Sequence, residues 1–325
     1  MKIAVLTADY PPDVWSGIGV AVQRQVSELE KLGAEVQVVV ARSRDAAIPA
    51  IGPVDWIHLH SLPLAELALE LRRRTGARLA YTVHTQPWLE WSGNGRARFW
   101  LDTQARLLGA CDRALFLSDA EHAAAQTLFP HLPPAAVIPN GVPAPPHELP
   151  GRDARPFIVF AGRFAASKGM LLLEEIVRLM KPRTSLRFVL AGGHGDDEGT
   201  AAAQRLARHC DVRGWLPRAE LDALFGAARL VLVPSRYEPF GLVALEAMRM
   251  GAPVLASSTG GLRAFRDAAM MLDGRDAHAW SDAALRIASD EQAWHELHTR
   301  GPRFVGERYR PCDVAKQLWD VLASA

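Results

Sequence analysis

Phe157-Ile-Val-Phe-Ala-Gly-Arg-Phe-Ala-Ala-Ser-Lys-Gly169 carries the local signal that decides the fold. Its first four residues are all apolar, as in a strand covered on both faces of a parallel sheet. Gly162 and Gly169 let the backbone turn tightly, and the amphipathic run Met170–Met180 follows. Strand, glycine loop and helix in this order form half of a βαβ unit. Arg163 and Lys168 share the loop beside the helix start. A helix N-terminus carries partial positive charge, and a guanidinium and an ammonium add charge-assisted hydrogen bonds, so the loop suits a diphosphate. It is not a Walker A loop, because no Ser or Thr follows Lys168 and the glycine spacing differs. Taken alone, the stretch also reads as an ordinary surface loop.

Working outward, the same alternation continues in both directions. Downstream, strands are predicted at Arg187–Ala191, Leu230–Val233 and Pro253–Ala256, with helices near Gly199–His209, Arg218–Phe225 and Leu242–Met250. The last fifty residues read as helical. Upstream, strands are predicted at Lys2–Leu6, Glu35–Val40, Trp56–Leu59, Arg78–Val83, Ala114–Leu117 and Ala136–Ile138. Helices fall at Ile18–Leu32, Pro63–Arg74, Arg96–Leu108 and Asp119–Phe129. Between the halves lies a proline-rich segment, Val142–Gly151, without periodicity. The expectation is an α/β chain of two Rossmann-like, doubly wound parallel-sheet domains facing a central cleft. Residues 1–142 form the first domain, 143–155 the linker and 156–305 the second domain. Residues 306–325 form a helix that packs back on the first domain.

Composition fits this plan and excludes several classes. A chain of 325 residues accommodates two domains of about 150 each. Basic and acidic residues nearly cancel, 37 against 36, so no bulk field recruits nucleic acid. Residues 1–142 are likewise balanced, which gives no support to a polybasic membrane face. Cys111, Cys210 and Cys312 are odd in number and far apart, which argues against a disulfide framework or a zinc site. No apolar run approaches the roughly 20 residues that span a bilayer, and no signal peptide precedes Ile3. A cytoplasmic protein is expected.

A second stretch, Ser235-Arg-Tyr-Glu-Pro-Phe-Gly-Leu-Val-Ala-Leu-Glu246, follows the apolar strand Leu230–Val233 and opens a helix. Pro239 suits a first helical turn, which leaves the amides of Phe240, Gly241 and Leu242 to point at a ligand. Glu246 then lies about two turns beyond Glu238 on a similar face. Two carboxylates so placed can hold separate polyol groups of one elongated ligand. The alternative makes Glu238 a cap-like residue and Glu246 one half of a buried ion pair.

Gly162-Arg163 with Lys168-Gly169, and Glu238 with Glu246, together resemble the GR-x4-KG and E-x7-E motifs of glycosyltransferase family 4, the group 1 retaining enzymes of the GT-B fold. The resemblance spans nearly the whole chain. It takes in Tyr10-Pro-Pro12, Gly17-Ile-Gly19, Thr82-Val-His84, Ser118 and Ile138-Pro-Asn-Gly-Val142. It continues through Val189-Leu-Ala-Gly-Gly193, Gly214-Trp-Leu216 and Gly260-Gly261. It implies a metal-independent hexosyltransferase that moves sugar from a nucleoside diphosphate, such as UDP, to a hydroxylated acceptor. Arg163 and Lys168 are then expected on the donor pyrophosphate, Glu238 and the Phe240–Leu242 amides on the sugar, and Glu246 on the ribose. Trp215 and Leu216 would border the base, Gly17 and Gly19 would approach the phosphates, and His84 would position the donor sugar. Trp15, Trp88 and Trp91, with Trp100 nearby, crowd the acceptor side; core packing accounts equally well for two of these four.

A dinucleotide dehydrogenase lacks support, because Val22 stands where a third glycine is needed and the turn starts late after the strand. Asp196-Asp-Glu198 could suggest a metal, but hydrated acids are ordinary in a glycine-rich loop. His58 and His60 point to one strand face, which favours packing. Where the family carries an acidic residue after Gly260-Gly261, this chain has Leu262-Arg-Ala-Phe265. A nucleotide-sugar-binding subunit without catalysis and a GT-B epimerase therefore stay open.

Overall fold

The computed structural model describes residues 1–12, 14, 16–42, 50–91, 95–146, 148–193 and 195–324. The chain divides into two compact units, Met1–Gly141 with Tyr309–Ala325, and Val142–Arg308. The first contains strands β1 (Lys2–Thr7), β2 (Glu35–Val40), β3 (Trp56–Leu59), β4 (Arg78–Val83), β5 (Arg113–Phe116) and β6 (Ala135–Val137). Its helices so far are α1 (Gly17–Lys31), α2 (Ala65–Thr75), α3 (Pro87–Glu90), α4 (Gly95–Ala110) and α5 (Asp119–Leu128). The second contains β7 (Phe157–Arg163), β8 (Arg187–Gly193), β9 (Asp211–Arg213), β10 (Ala228–Val233), β11 (Val254–Ser257) and β12 (Met270–Leu272). Helices α6 (Met170–Met180), α7 (Asp197–Leu206), α8 (Arg218–Gly226), α9 (Leu242–Arg249), α10 (Ala277–Ser289) and α11 (Glu291–Arg308) surround it. The last helix, α12 (Pro311–Ala323), returns to the first unit.

Every strand pairing is parallel. The first sheet has the order β2-β1-β3-β4-β5-β6 and the second β12-β11-β10-β7-β8-β9. The winding reverses between β1 and β3 in one and between β7 and β10 in the other. In open α/β sheets, ligands bind beyond the strand C-termini at such a reversal.

The alternating pleat divides the first sheet between two cores. Ala4, Leu6, Ile57 and Leu59 pack with α2 and α4, while Ile3, Val5 and Trp56 pack with α1 and α12. Trp56 Nε1 donates to the Leu322 carbonyl at 3.1 Å, which ties α12 to β3. In the second sheet, Ile158, Phe160, Leu190 and Leu232 face α6, α7 and α10. Covered faces explain why these strands are apolar without alternation.

Several local expectations need correction. Gly162 and Arg163 belong to β7 itself, because its pairing with β8 continues through Gly162↔Gly192 and Arg163↔Gly193. The strands β9 and β12 and the one-turn helix α3 escaped the sequence reading. Both strands are three residues long and sit at sheet edges, too short for a period to register. The proline-rich segment is fastened to the second unit. Arg249 donates to the carbonyls of Pro143 and Ala144, and fully buried Arg155 donates to those of Pro150, Phe225, Ala228 and Met250.

Candidate functional site

In the second unit, the loops after β7 and β10 meet at the reversal of the sheet. The Ser167 carbonyl accepts from the amides of Arg236 (2.8 Å) and Tyr237 (3.2 Å). Gly169 takes φ +80°, and a Cβ there would stand 1.9 Å from the Pro234 carbonyl oxygen. Only glycine permits both that conformation and that approach. Stitched together in this way, the loops bring Lys168 Nζ to 2.9 Å from Glu238 Oε2, with Ser235 Oγ at 3.3 Å from the same oxygen. Both charged side chains keep some contact with solvent, 17% and 15% exposed. The Glu238 carbonyl accepts from the Gly261 amide at 2.9 Å, which fixes the loop from the other side. Arg163 is exposed at the end of β7.

The Glu238–Glu246 stretch departs from its predicted form. Helix α9 starts at Leu242, so Pro239 and Glu238 lie in the preceding turn and the two glutamates do not share a helix face. Gly241 caps the helix with φ +99°; a Cβ there would stand 2.6 Å from Leu262 and 2.8 Å from Phe265. Leu262 and Phe265 are fully buried, and Phe265 meets Phe240 edge-on at 6.1 Å. Leu262 and Phe265 thus form the apolar floor of the turn, while Arg263 and Ala264 between them are exposed. First-turn amides of α9, Leu242 among them, have no acceptor within the helix.

Glu246 is buried and paired with the Arg218 guanidinium, as one of its two sequence readings had it. The pair extends through Arg218–Asp222 to Arg249. Burial pulls the Arg218 guanidinium down, but Glu246 and Asp222 outweigh it and raise it. Burial likewise raises Asp222, yet Arg218 and Arg249 hold it below the usual carboxylate range. Neither Arg218 nor Asp222 was singled out from sequence; only their i,i+4 spacing on α8 was a signal.

After β9, the Gly214 carbonyl accepts from the Gly192 amide at 2.7 Å. Trp215 is 43% exposed and Leu216 is half-buried. Asp196 caps α7 through the Gly199 amide and also accepts from the Ala166 amide at 2.9 Å, so it braces the Lys168 loop. Among the described residues, no three His, Cys, Asp or Glu side chains are grouped as a metal site requires.

In the first unit, Gly17 and Gly19 lie in the first turn of α1, not in a loop before it. Ser16 caps the helix by accepting from the Ile18 amide and donates to buried Asp9. A Cβ on Gly19 would stand 2.6 Å from the Asp9 carboxylate, so that glycine makes room for the acid. His84, at the end of β4, bonds His60 at 3.0 Å, and His58 bonds Thr82 Oγ1 at 2.8 Å. The His58 and His60 rings lie 4.1 Å apart and those of His60 and His84 5.3 Å. Trp88 and Trp91 are half-buried at α3; Arg96 covers the Trp91 ring at 4.7 Å, and Trp100 packs on the core. Trp15 lies outside the described residues.

Burial holds all three histidines neutral: His84 falls to about 4, His58 to about 3 and His60 well below its ordinary value. The unfolded chain takes these protons near pH 6.5, so stability is full above that value. It is lost as pH falls toward the depressed folded values. Moving from about pH 7 to about pH 5.5 should cost about 1 kcal/mol per histidine, read as a lower urea midpoint for the first unit. An unchanged midpoint would contradict the buried neutral cluster.

Two doubly wound parallel sheets, one bearing Lys168 and Glu238 at its reversal point, define an α/β protein of the Rossmann-like class. The chain is more specific than that. Residues 155–290 match the family model of glycosyl transferases group 1, and residues 46–144 that of glycosyltransferase family 4. Together they cover more than half of the chain, which belongs to the family 4, group 1 glycosyltransferases. It is similar to the alpha-maltose-1-phosphate synthase of Mycolicibacterium smegmatis, at 28% identity over 99% of this chain and 98% of the relative. The solved sucrose-phosphate synthase of Thermosynechococcus elongatus covers the whole chain with TM-score 0.83 at 21% identity, over 98% of its own length. HepE of Anabaena, solved with UDP-glucose, covers both chains fully with TM-score 0.83 at 17% identity. The fold is that of the GT-B glycosyltransferases. Among the described residues, no helix is long and apolar enough to cross a membrane.

Proposed function

We propose that the protein is a retaining hexosyltransferase. It moves sugar from a nucleoside-diphosphate donor, UDP-linked, to a hydroxyl of a polyhydroxylated small molecule or glycan. The observation that carries this reading is the meeting of Lys168 and Glu238 at the reversal of the second sheet. Arg163 and Lys168 take the diphosphate, Glu238 and the amides of Phe240, Gly241 and Leu242 take sugar hydroxyls, and Glu246 takes the ribose. Trp215 and Leu216 border the base. From the first unit, His84 hydrogen-bonds the sugar, and Trp88 and Trp91 border the acceptor. The similarity to HepE, solved with UDP-glucose, supports the choice of base.

In the reaction, the anomeric C–O bond to phosphate breaks and the acceptor oxygen bonds the same face of the anomeric carbon. The acceptor proton passes to the leaving phosphate. Charge grows on that phosphate, and cations that grip it more strongly as it grows lower the barrier. These protein cations fill the role of a metal, so the transfer is metal-independent. The same reading makes the protein cytoplasmic, consistent with its free cysteines.

A thermal-shift series with UDP, GDP, ADP and UDP-glucose tests the donor. UDP and UDP-glucose should raise the melting temperature, and NMR of the transfer product should retain the anomeric configuration. No shift with any nucleotide would contradict the assignment.

A further inference from the structure

The clustered histidines of the first unit leave His58 Nδ1 and His60 Nε2 buried, with no hydrogen-bond partner among the described residues. A buried orphan N–H is rarer than a buried orphan acceptor, so each ring carries its proton on the other nitrogen. His58 then donates from Nε2 to Thr82 Oγ1, and His60 donates from Nδ1 to His84 Nε2. Once His84 Nε2 accepts, the one proton of that neutral ring lies on Nδ1. That nitrogen bonds none of the described residues, and the side chain is partly exposed. Burial, which favours the neutral form of all three rings, agrees with this arrangement.

We propose that His60 is a positioning residue: by donating to His84 Nε2 it locks His84 in the Nδ1–H tautomer. His84 thus offers a hydrogen-bond donor to an oxygen of the bound sugar, its one lone pair, on Nε2, being taken up by His60. That His84 touches sugar rests on the function proposed above; the tautomer does not.

The test is nitrogen-15 NMR of histidine-labelled protein near neutral pH, with the His84 signals assigned by their loss in His84→Gln. Wild-type His84 should be protonated on Nδ1 and bare on Nε2. His60→Leu should release the lock, giving mixed His84 tautomers and a kcat/KM for transfer lowered about 3- to 10-fold, the size expected for one neutral hydrogen bond. His60→Asn places an amide donor near the lost Nδ1 and should restore both readouts. Protonation of wild-type His84 on Nε2 would overturn the proposal, as would a His84 tautomer unaltered in His60→Leu. Absence of transfer by the wild-type protein would refute the function instead, and the spectrum would still decide the tautomer.

Discussion

Lys168→Ala should lower glycosyl transfer by about 10²- to 10³-fold while the protein stays folded. The rate figure follows from removing one preorganised group that meets developing charge. Retention of the fold follows from the surroundings. Lys168 pairs with Glu238 where both side chains keep some contact with solvent, so the freed carboxylate can be hydrated, and Ser235 Oγ still donates to it. The loops stay joined through main-chain bonds to Ser167, which the substitution leaves alone. A purely structural ion pair predicts the opposite pattern, a clear loss of stability with nearly normal rates. Steady-state kinetics beside a melting curve separates the two.

Arg249→Ala should cost about 3–5 kcal/mol of stability in the second unit, the range for stripping one partner from a buried ion pair. Arg249 is 4% exposed and pairs with Asp222, and it also donates to the carbonyls of Pro143 and Ala144. Its loss leaves Asp222 with Arg218 alone and strips two carbonyls of their donor. Arg218 also holds Glu246, so nucleotide affinity should fall along with stability. The urea midpoint reads the first effect and UDP titration the second. A midpoint within a few tenths of a molar of wild type would show that the network does not hold the unit together.

What the sequence revealed follows the range of the interactions. The β7 loop was legible because strand, glycines, cations and helix are contiguous, and the apolar run of β7 registered without help from its neighbours. The contact between Lys168 and Glu238 was not, because it needs β10 to lie beside β7, a matter of sheet order. Glu246 reads locally as either ligand or ion-pair partner; the ion pair is present, but its partner Arg218 sits on another helix that no local pattern connects to it. The even spacing of Glu238 and Glu246 misled, since a left-handed Gly241 interrupts the helix that the spacing implied. His58 and His60 showed their strand period, whereas the bond to His84 depends on β3 pairing with β4.

A crystal structure with UDP-glucose bound tests the central claim most directly. The diphosphate oxygens should lie within hydrogen-bonding distance of Arg163 and Lys168, with the ribose hydroxyls on Glu246 and the glucose hydroxyls on Glu238. A nucleotide seated away from the β7 and β10 loops, with Lys168 and Glu238 still bonded only to each other, would contradict it.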